Sequence, residues 1–245
     1  MLETCLRLSC LLNDLSSDRV TAAAAEAELL SDGLAHHVHD PHEVLGLGEP
    51  DPIVSVPVRR ALARISHRPT GDGPDRWAVL YPRPGRLAGL RGPADLVAEA
   101  LEVGAVVMCH TGTSTGLAWT GVRVGAGVQW RLWQGTPPLP PATVAEARLA
   151  LTEEMARATA RLSGLEPPGG RRPRSTVPRL SRGASRADQA LADLAWTVLV
   201  AADTGLSEAE RVLTSHAATT RESALLPLVG AALEALTAAS AWPAA

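Results

Sequence analysis

Trp77-Ala78-Val79-Leu80-Tyr81-Pro82 and, further along, Val128-Gln129-Trp130-Arg131-Leu132-Trp133 decide the fold class. The first is a short apolar run stopped by a proline, which cannot donate to a sheet ladder, and it reads as a strand. In the second, Val128, Trp130 and Leu132 alternate with Gln129, Arg131 and Trp133. Period-two alternation predicts a strand with one dry face, in a sheet packed on one side by helices. Between them Pro93-Ala94-Asp95-Leu96-Val97-Ala98-Glu99-Ala100-Leu101 has proline where a first helical turn tolerates it and ends at Gly104. Ala105 to Cys109 and Leu117 to Thr120 supply two more strands between Gly-rich turns. The middle of the chain is therefore expected to be a small, mainly antiparallel sheet crossed by one helix.

Toward the N-terminus, Cys5, Leu8, Leu12 and Leu15 fall at helical spacing. Ser17 offers a cap for a second helix running to about Leu30 and closed by Ser31-Asp32-Gly33, giving a helical hairpin. His36 to Pro52 is polar and interrupted by proline. Ile53 to Ile65 fits strand, helix, or one turning into the other. Toward the C-terminus the pattern is helical: roughly 143–163, 186–203, 207–217 and 222–239. Thr143 with Glu146, and Ser207 with Glu210, have capping-box spacing. Leu191, Leu194, Ala195, Val198, Leu199 and Ala202 form an apolar stripe, repeated by Leu225, Val229, Leu233 and Leu236. The fold class is α+β: an N-terminal helical hairpin plus a small sheet, then a C-terminal helical unit. The expected organisation is an α+β domain over 1–165, a Pro/Arg-rich linker over 166–185, and a helical unit over 186–245 packing on the first domain.

The chain of 245 residues is 46% hydrophobic and 20% charged, enough for a core of its own. All 23 basic residues are arginine, and phenylalanine is absent, a bias of GC-rich codons. Arginine clusters therefore carry less meaning here than where lysine was available. A net charge of −3 gives no global attraction to nucleic acid or anionic membrane. Glu3 and Arg7 break up the opening apolar run, so a secretory leader is not expected; no apolar stretch near the ~20 residues of a membrane span is expected either, Leu194 to Ala202 being too short and Val103 to Val122 diluted by polar residues. Cys5, Cys10 and Cys109 read as free thiols of a reducing compartment, which places the protein in the cytoplasm.

Three clusters are candidates for chemistry. His36-His37-Val38-His39-Asp40-Pro41-His42-Glu43 carries metal-type ligands, and His37, His39 and His42 are the candidate set for a divalent metal. Proline stands where a metallo-hydrolase pattern needs its acid, so a surface loop of unliganded histidines is the alternative. Gly112-Thr113-Ser114-Thr115-Gly116 matches a nucleophile elbow, with His216 as the candidate base for Ser114. An elbow needs a helix directly after its serine, whereas Leu117 onward reads as strand. Arg171, Arg172, Arg174, Arg179 and Arg182 form a basic run that suits phosphate or an acidic partner. No interleaved aromatics accompany it, so nucleic acid is not expected and a solvated linker is the plainer reading.

Tyr81-Pro82-Arg83-Pro84-Gly85, then Gly89-Leu90-Arg91-Gly92-Pro93 and the helix into Glu102-Val103-Gly104-Ala105-Val106-Val107, resemble a family of uncharacterised actinobacterial proteins. Val128-Gln129-Trp130-Arg131, Arg186-Ala187 to Asp203, and Leu225-Leu226-Pro227-Leu228 are similar to the same family. The resemblance covers about half the chain in short motifs. It implies no activity and no catalytic residue, and the chain departs from the family pattern at His110 to Thr115. The expected function is a non-enzymatic interaction or regulatory module, with a protein partner or a second copy, no membrane and no cofactor. The alternatives are a hydrolase, a metal protein and a nucleic-acid binder.

Overall fold

The computed structural model describes residues 1–48, 55–68, 75–110, 116–165, 176–207 and 215–241. The fold is α+β. The chain divides into one unit of Met1–Pro141 with Leu180–Ser185 and the stretch from Ser240, and a second unit of Ala142–Arg179 with Arg186–Ala239. The first unit thus ends its main run at Pro141, and the helix after it belongs with the C-terminal helices.

In the first unit, helix α1 (Leu2–Ser16) is buried almost all round, with Cys5, Leu6, Leu8, Leu12 and Leu15 at its heart. A helix apolar on every side has to lie in the interior. It packs on one side against α2 (Ala22–Leu29) and α3 (Val58–Ser66), and on the other against the sheet. Thr21, not Ser17, caps α2 by accepting the Ala24 amide at 3.2 Å, because Asp18 takes a positive φ that turns the chain first. Ile53 to Ile65 resolves, from Val56 on, as a two-residue strand turning into α3, which buries Val58, Ala61, Leu62 and Ile65 at helical spacing.

The six strands among the described residues are β1 (Ala35–His39), β2 (Val56–Pro57), β3 (Arg76–Leu80), β4 (Val106–His110), β5 (Gly116–Val124) and β6 (Gly127–Gly135), arranged β2-β1-β6-β5-β4-β3. All neighbours are antiparallel except β1, which runs parallel to β6. The sheet is mainly antiparallel, as expected, but β1 lies in the polar stretch that had read as loop. Its histidines hide the strand: His36 and Val38 face the core while Ala35 and His37 are exposed.

Both faces of the sheet are covered, not one. Trp77, Val79, Val107, Trp119, Trp130 and Leu132 share the face toward α1. The opposite face carries Ala78, Leu80, Met108, Ala118 and Trp133, packed with Leu96 and Ala100 of α4 (Ala94–Val103). Trp133 joins this second core because the strand's wet face is wet only toward the hairpin end.

The edge strand β3 is closed from the side. Asn13 of α1, 2% exposed, donates Nδ2 to the Trp77 carbonyl at 2.8 Å and accepts the Trp77 amide on Oδ1 at 2.8 Å. One amide side chain therefore does what a seventh strand would do at that residue. Next to it, Asp14 fastens part of the expected linker. Ser181 Oγ donates to Asp14 at 2.7 Å, the Arg182 amide at 2.9 Å, and the Arg182 guanidinium lies 3.6 Å away. Residues 180–185 are thus strapped to the first unit, whereas 166–175 lie outside the described residues.

The second unit holds α5 (Val144–Leu162), α6 (Arg186–Ser207) and α7 (Ser215–Ser240). The Thr143–Glu146 capping box is present, each partner satisfying the other's amide. The second expected box is not at a helix start: Ser207 ends α6 with its hydroxyl on the Asp203 carbonyl, and Glu210 lies outside the described residues. The expected stripe of α6 is buried at Leu191, Ala195, Val198, Leu199 and Ala202. Arg161 of α5 donates to the Ser223 carbonyl of α7 at 2.9 Å. By length and composition α6 and α7 are each apolar enough to cross a membrane, with mean hydropathy of 1.2 and 1.5 in their most apolar windows. The expectation that no apolar stretch approaches the length of a membrane span is therefore not met by length and composition. The window is 61% buried within the protein in α7 and 33% in α6.

Candidate functional site

The hairpin β5–β6 places a recess in the first unit. Gly125 opens its two-residue turn with φ +56°, the positive value that the first position of a II′ turn needs. The register runs unbroken from Gly116↔Gly135 to Val124↔Gly127. On the other side, β4 pairs with β5 only at Val107↔Trp119 and Met108↔Ala118. Beyond Trp119 the hairpin outruns its neighbour. There a cavity of about 520 Å³ opens, lined by Met1, by Glu99, Glu102 and Val103 of α4, by residues 121–124 of β5, by Gln129 and Arg131 of β6, and by His39 of β1.

Its floor is a row of polar side chains across three strands. His39 pairs with Arg131 and Arg131 with Thr120 in the ladder, so the three share a face. Glu99 comes down from α4: Thr120 Oγ1 donates to Glu99 Oε1, and Arg131 reaches Oε2 at 3.2 Å. Trp133 Nε1 donates to Thr120 Oγ1 at 2.9 Å, and the Arg131 guanidinium stacks 4.4 Å over the Trp133 ring. The arginine is held by an ion pair below and a cation–π contact beside it, which fixes its direction. Arg131 Nε and His39 Nε2 are buried and make no hydrogen bond among the described residues. Burial, with Arg131 adding to it, lowers the His39 pKa below 6.5, so the ring is neutral at pH 7.

The candidate metal set does not assemble. His37 is exposed beside Gln129, His39 faces the cavity, and His42 packs its ring 5.9 Å from Trp133. Asp40 is committed to its own loop, accepting the amides of Val44 at 2.7 Å and Leu45 at 2.9 Å. Among the described residues no three His, Cys, Asp or Glu side chains come together to hold an ion. His36, read only as part of the cluster, is buried in the core and accepts Trp130 Nε1 on Nδ1 at 3.0 Å. Burial lowers its pKa below 6.5.

Ser114, Arg171, Arg172 and Arg174 lie outside the described residues. Strand β5 begins at Gly116, two residues past Ser114, where an elbow would need a helix. His216 is exposed in the first turn of α7. Arg179 is exposed, and Arg182 is engaged with Asp14 and with Glu28 at 3.3 Å. The thiols are held inert: burial pushes Cys5 and Cys10 up to about 12 and raises Cys109 as well.

Glu99, Thr120, Arg123, Arg131 and Trp133 were not singled out from the sequence. The signal was the alternation in β6, whose expected wet face carries Gln129 and Arg131, which line the cavity, and Trp133, which is buried beside them.

Fold and site together define an α+β domain with a mixed six-stranded sheet and a cleft where its central hairpin passes beyond β4. Residues 9–146 match the family model described as Rv1486c-like protein, N-terminal domain, and the chain belongs to that uncharacterised family. The match ends just past Pro141, where the main run of the first unit ends. No curated protein and no solved structure matches the chain.

Proposed function

We propose that the first unit is a non-enzymatic interaction module of the cytoplasm that receives a partner in the cleft beside β5. The observation that carries this reading is the pre-set floor: Arg131 clamped between Glu99 and Trp133 under a cavity of about 520 Å³, a volume in the range of ligand sites. Such a floor orients a bound group without reorganising. None of the three cysteines lines the cleft, and their raised pKa values suit structural roles in a reducing compartment. Arg182, offered by the sequence as a contact for anionic partners, already has two carboxylates of its own chain.

A fragment screen read by amide chemical shifts tests the proposal. Shifts clustered at His39, residues 121–124, Gln129 and Arg131, and lost in Arg131→Ala, are expected. Hits that gather elsewhere, or labelling of Ser114 by a fluorophosphonate, would replace the interaction module with another function.

A further inference from the structure

The cleft has a feature that a small-molecule pocket does not require. In an antiparallel pair the residues alternate between exchanging both main-chain bonds with the partner strand and directing them away. With Val124↔Gly127 closing a two-residue turn, Val124, Val122 and Thr120 bond to β6. Trp119, Gly121 and Arg123 point their amides and carbonyls the other way. Trp119 finds Val107 in β4. Among the described residues Gly121, which is buried, and Arg123, which is exposed, face no strand, and no backbone hydrogen bond takes up their groups.

We propose that this open edge of β5, Thr120 to Val124, is a strand-addition site that binds an extended peptide segment of a partner protein in the cleft. The inference rests on the interaction-module reading above and names the occupant. Three observations favour a peptide. The unpaired groups are main-chain donors and acceptors at strand spacing, which an extended chain matches residue by residue. The edge is recessed, with Met1 on one side and Glu102 and Val103 of α4 on the other, so a single strand enters where the edge of a second folded sheet would collide. The two walls also differ in chemistry. Val122 and Val124, 46% and 57% exposed, lie on the α4 side with Glu102, while Arg123 lies on the Met1 side. Neither Glu102 nor Arg123 is in an ion pair among the described residues. A bound strand alternates its side chains between the walls, so the preferred sequence carries aliphatic and basic residues at every second position and an acidic residue between them.

Gly121 is part of the design. A Cβ there would stand 2.7 Å from the Trp130 ring and 2.9 Å from the Met1 methyl group, so only glycine leaves the indole in place at this buried position beside the cleft.

The test selects binders from an immobilised library of random dodecapeptides against the whole chain. Selected peptides are expected to show the alternating pattern and to slow hydrogen exchange at the Gly121 and Arg123 amides. Arg123→Pro removes one outward amide without touching the β6 ladder, so it should keep the melting temperature and bind about tenfold or more weakly. Arg123→Ala keeps the amide and should bind more tightly than Arg123→Pro. Selected peptides that bind Arg123→Pro as well as wild type overturn strand addition. So does a concentration-dependent dimer that protects the same two amides without peptide. If no peptide is selected but fragments shift the cleft amides, the occupant is wrong and the cleft stands. If neither binds, both readings fall.

Discussion

Among the stretches of this sheet that have no neighbouring strand within the described residues, two are treated oppositely by the protein. At Trp77 in β3, Asn13 fills both main-chain bonds from within the core. At Gly121 and Arg123 in β5, the outward groups face a cleft. The first edge lies under helices, where an unpaired amide or carbonyl would be costly, so a side chain was placed to meet it. The second lies at a recess, where water or a partner can meet it. Edge strands are usually blunted against wrong partners, and here only one of the two is.

Several substitutions break or sharpen this contrast. The largest effect is expected from Asn13→Ala, which leaves the buried Trp77 amide and carbonyl unpaired and should cost about 2–4 kcal/mol in chemical denaturation. Asp14→Ala, next along α1, strands the Ser181 hydroxyl and the Arg182 amide. It should cost about 1–3 kcal/mol and make residues 180–185 the first site of limited proteolysis. Gly121→Ala forces Trp130 or Met1 to move and should cost about 1–3 kcal/mol, with a change in tryptophan fluorescence that Arg123→Ala does not produce.

Acid sensitivity is a smaller effect. The folded protein holds His36 below its ordinary value of 6.5 because burial disfavours the imidazolium. As pH falls through 6.5 the unfolded chain takes up a proton that the folded chain refuses, so stability drops until the lowered folded pKa is passed. His36→Gln, which retains an acceptor for Trp130, should flatten that part of a stability–pH curve; an unchanged slope would assign the loss to other groups. The smallest expected change is in Arg123→Pro, with a melting temperature close to that of the wild type.

The sequence carried the α+β class, most of the antiparallel strands, α4 and the capped start of α5, because their periodicity and caps are local. It did not carry β1. A strand written Ala35-His36-His37-Val38-His39 has little β-type composition, and what holds it is tertiary: Trp130 bonded to His36 and the parallel ladder to β6. The same histidines suggested a metal; His37 and His39 do share a face of β1, but His42 packs on Trp133 and Asp40 is committed to its own loop. The cleft was half legible. Arg131 and Trp133 stood on the predicted wet face of β6, but Glu99 reaches them only through the packing of α4. That β5 outlasts β4 is a matter of register, which no local pattern reports.

Native-state hydrogen exchange at three amides tests the contrast most directly. The Trp77 amide, closed by Asn13, should exchange only on global unfolding, while those of Gly121 and Arg123 should exchange orders of magnitude faster in the free protein. Equal protection at all three would mean that the β5 edge is already filled, and would contradict the account.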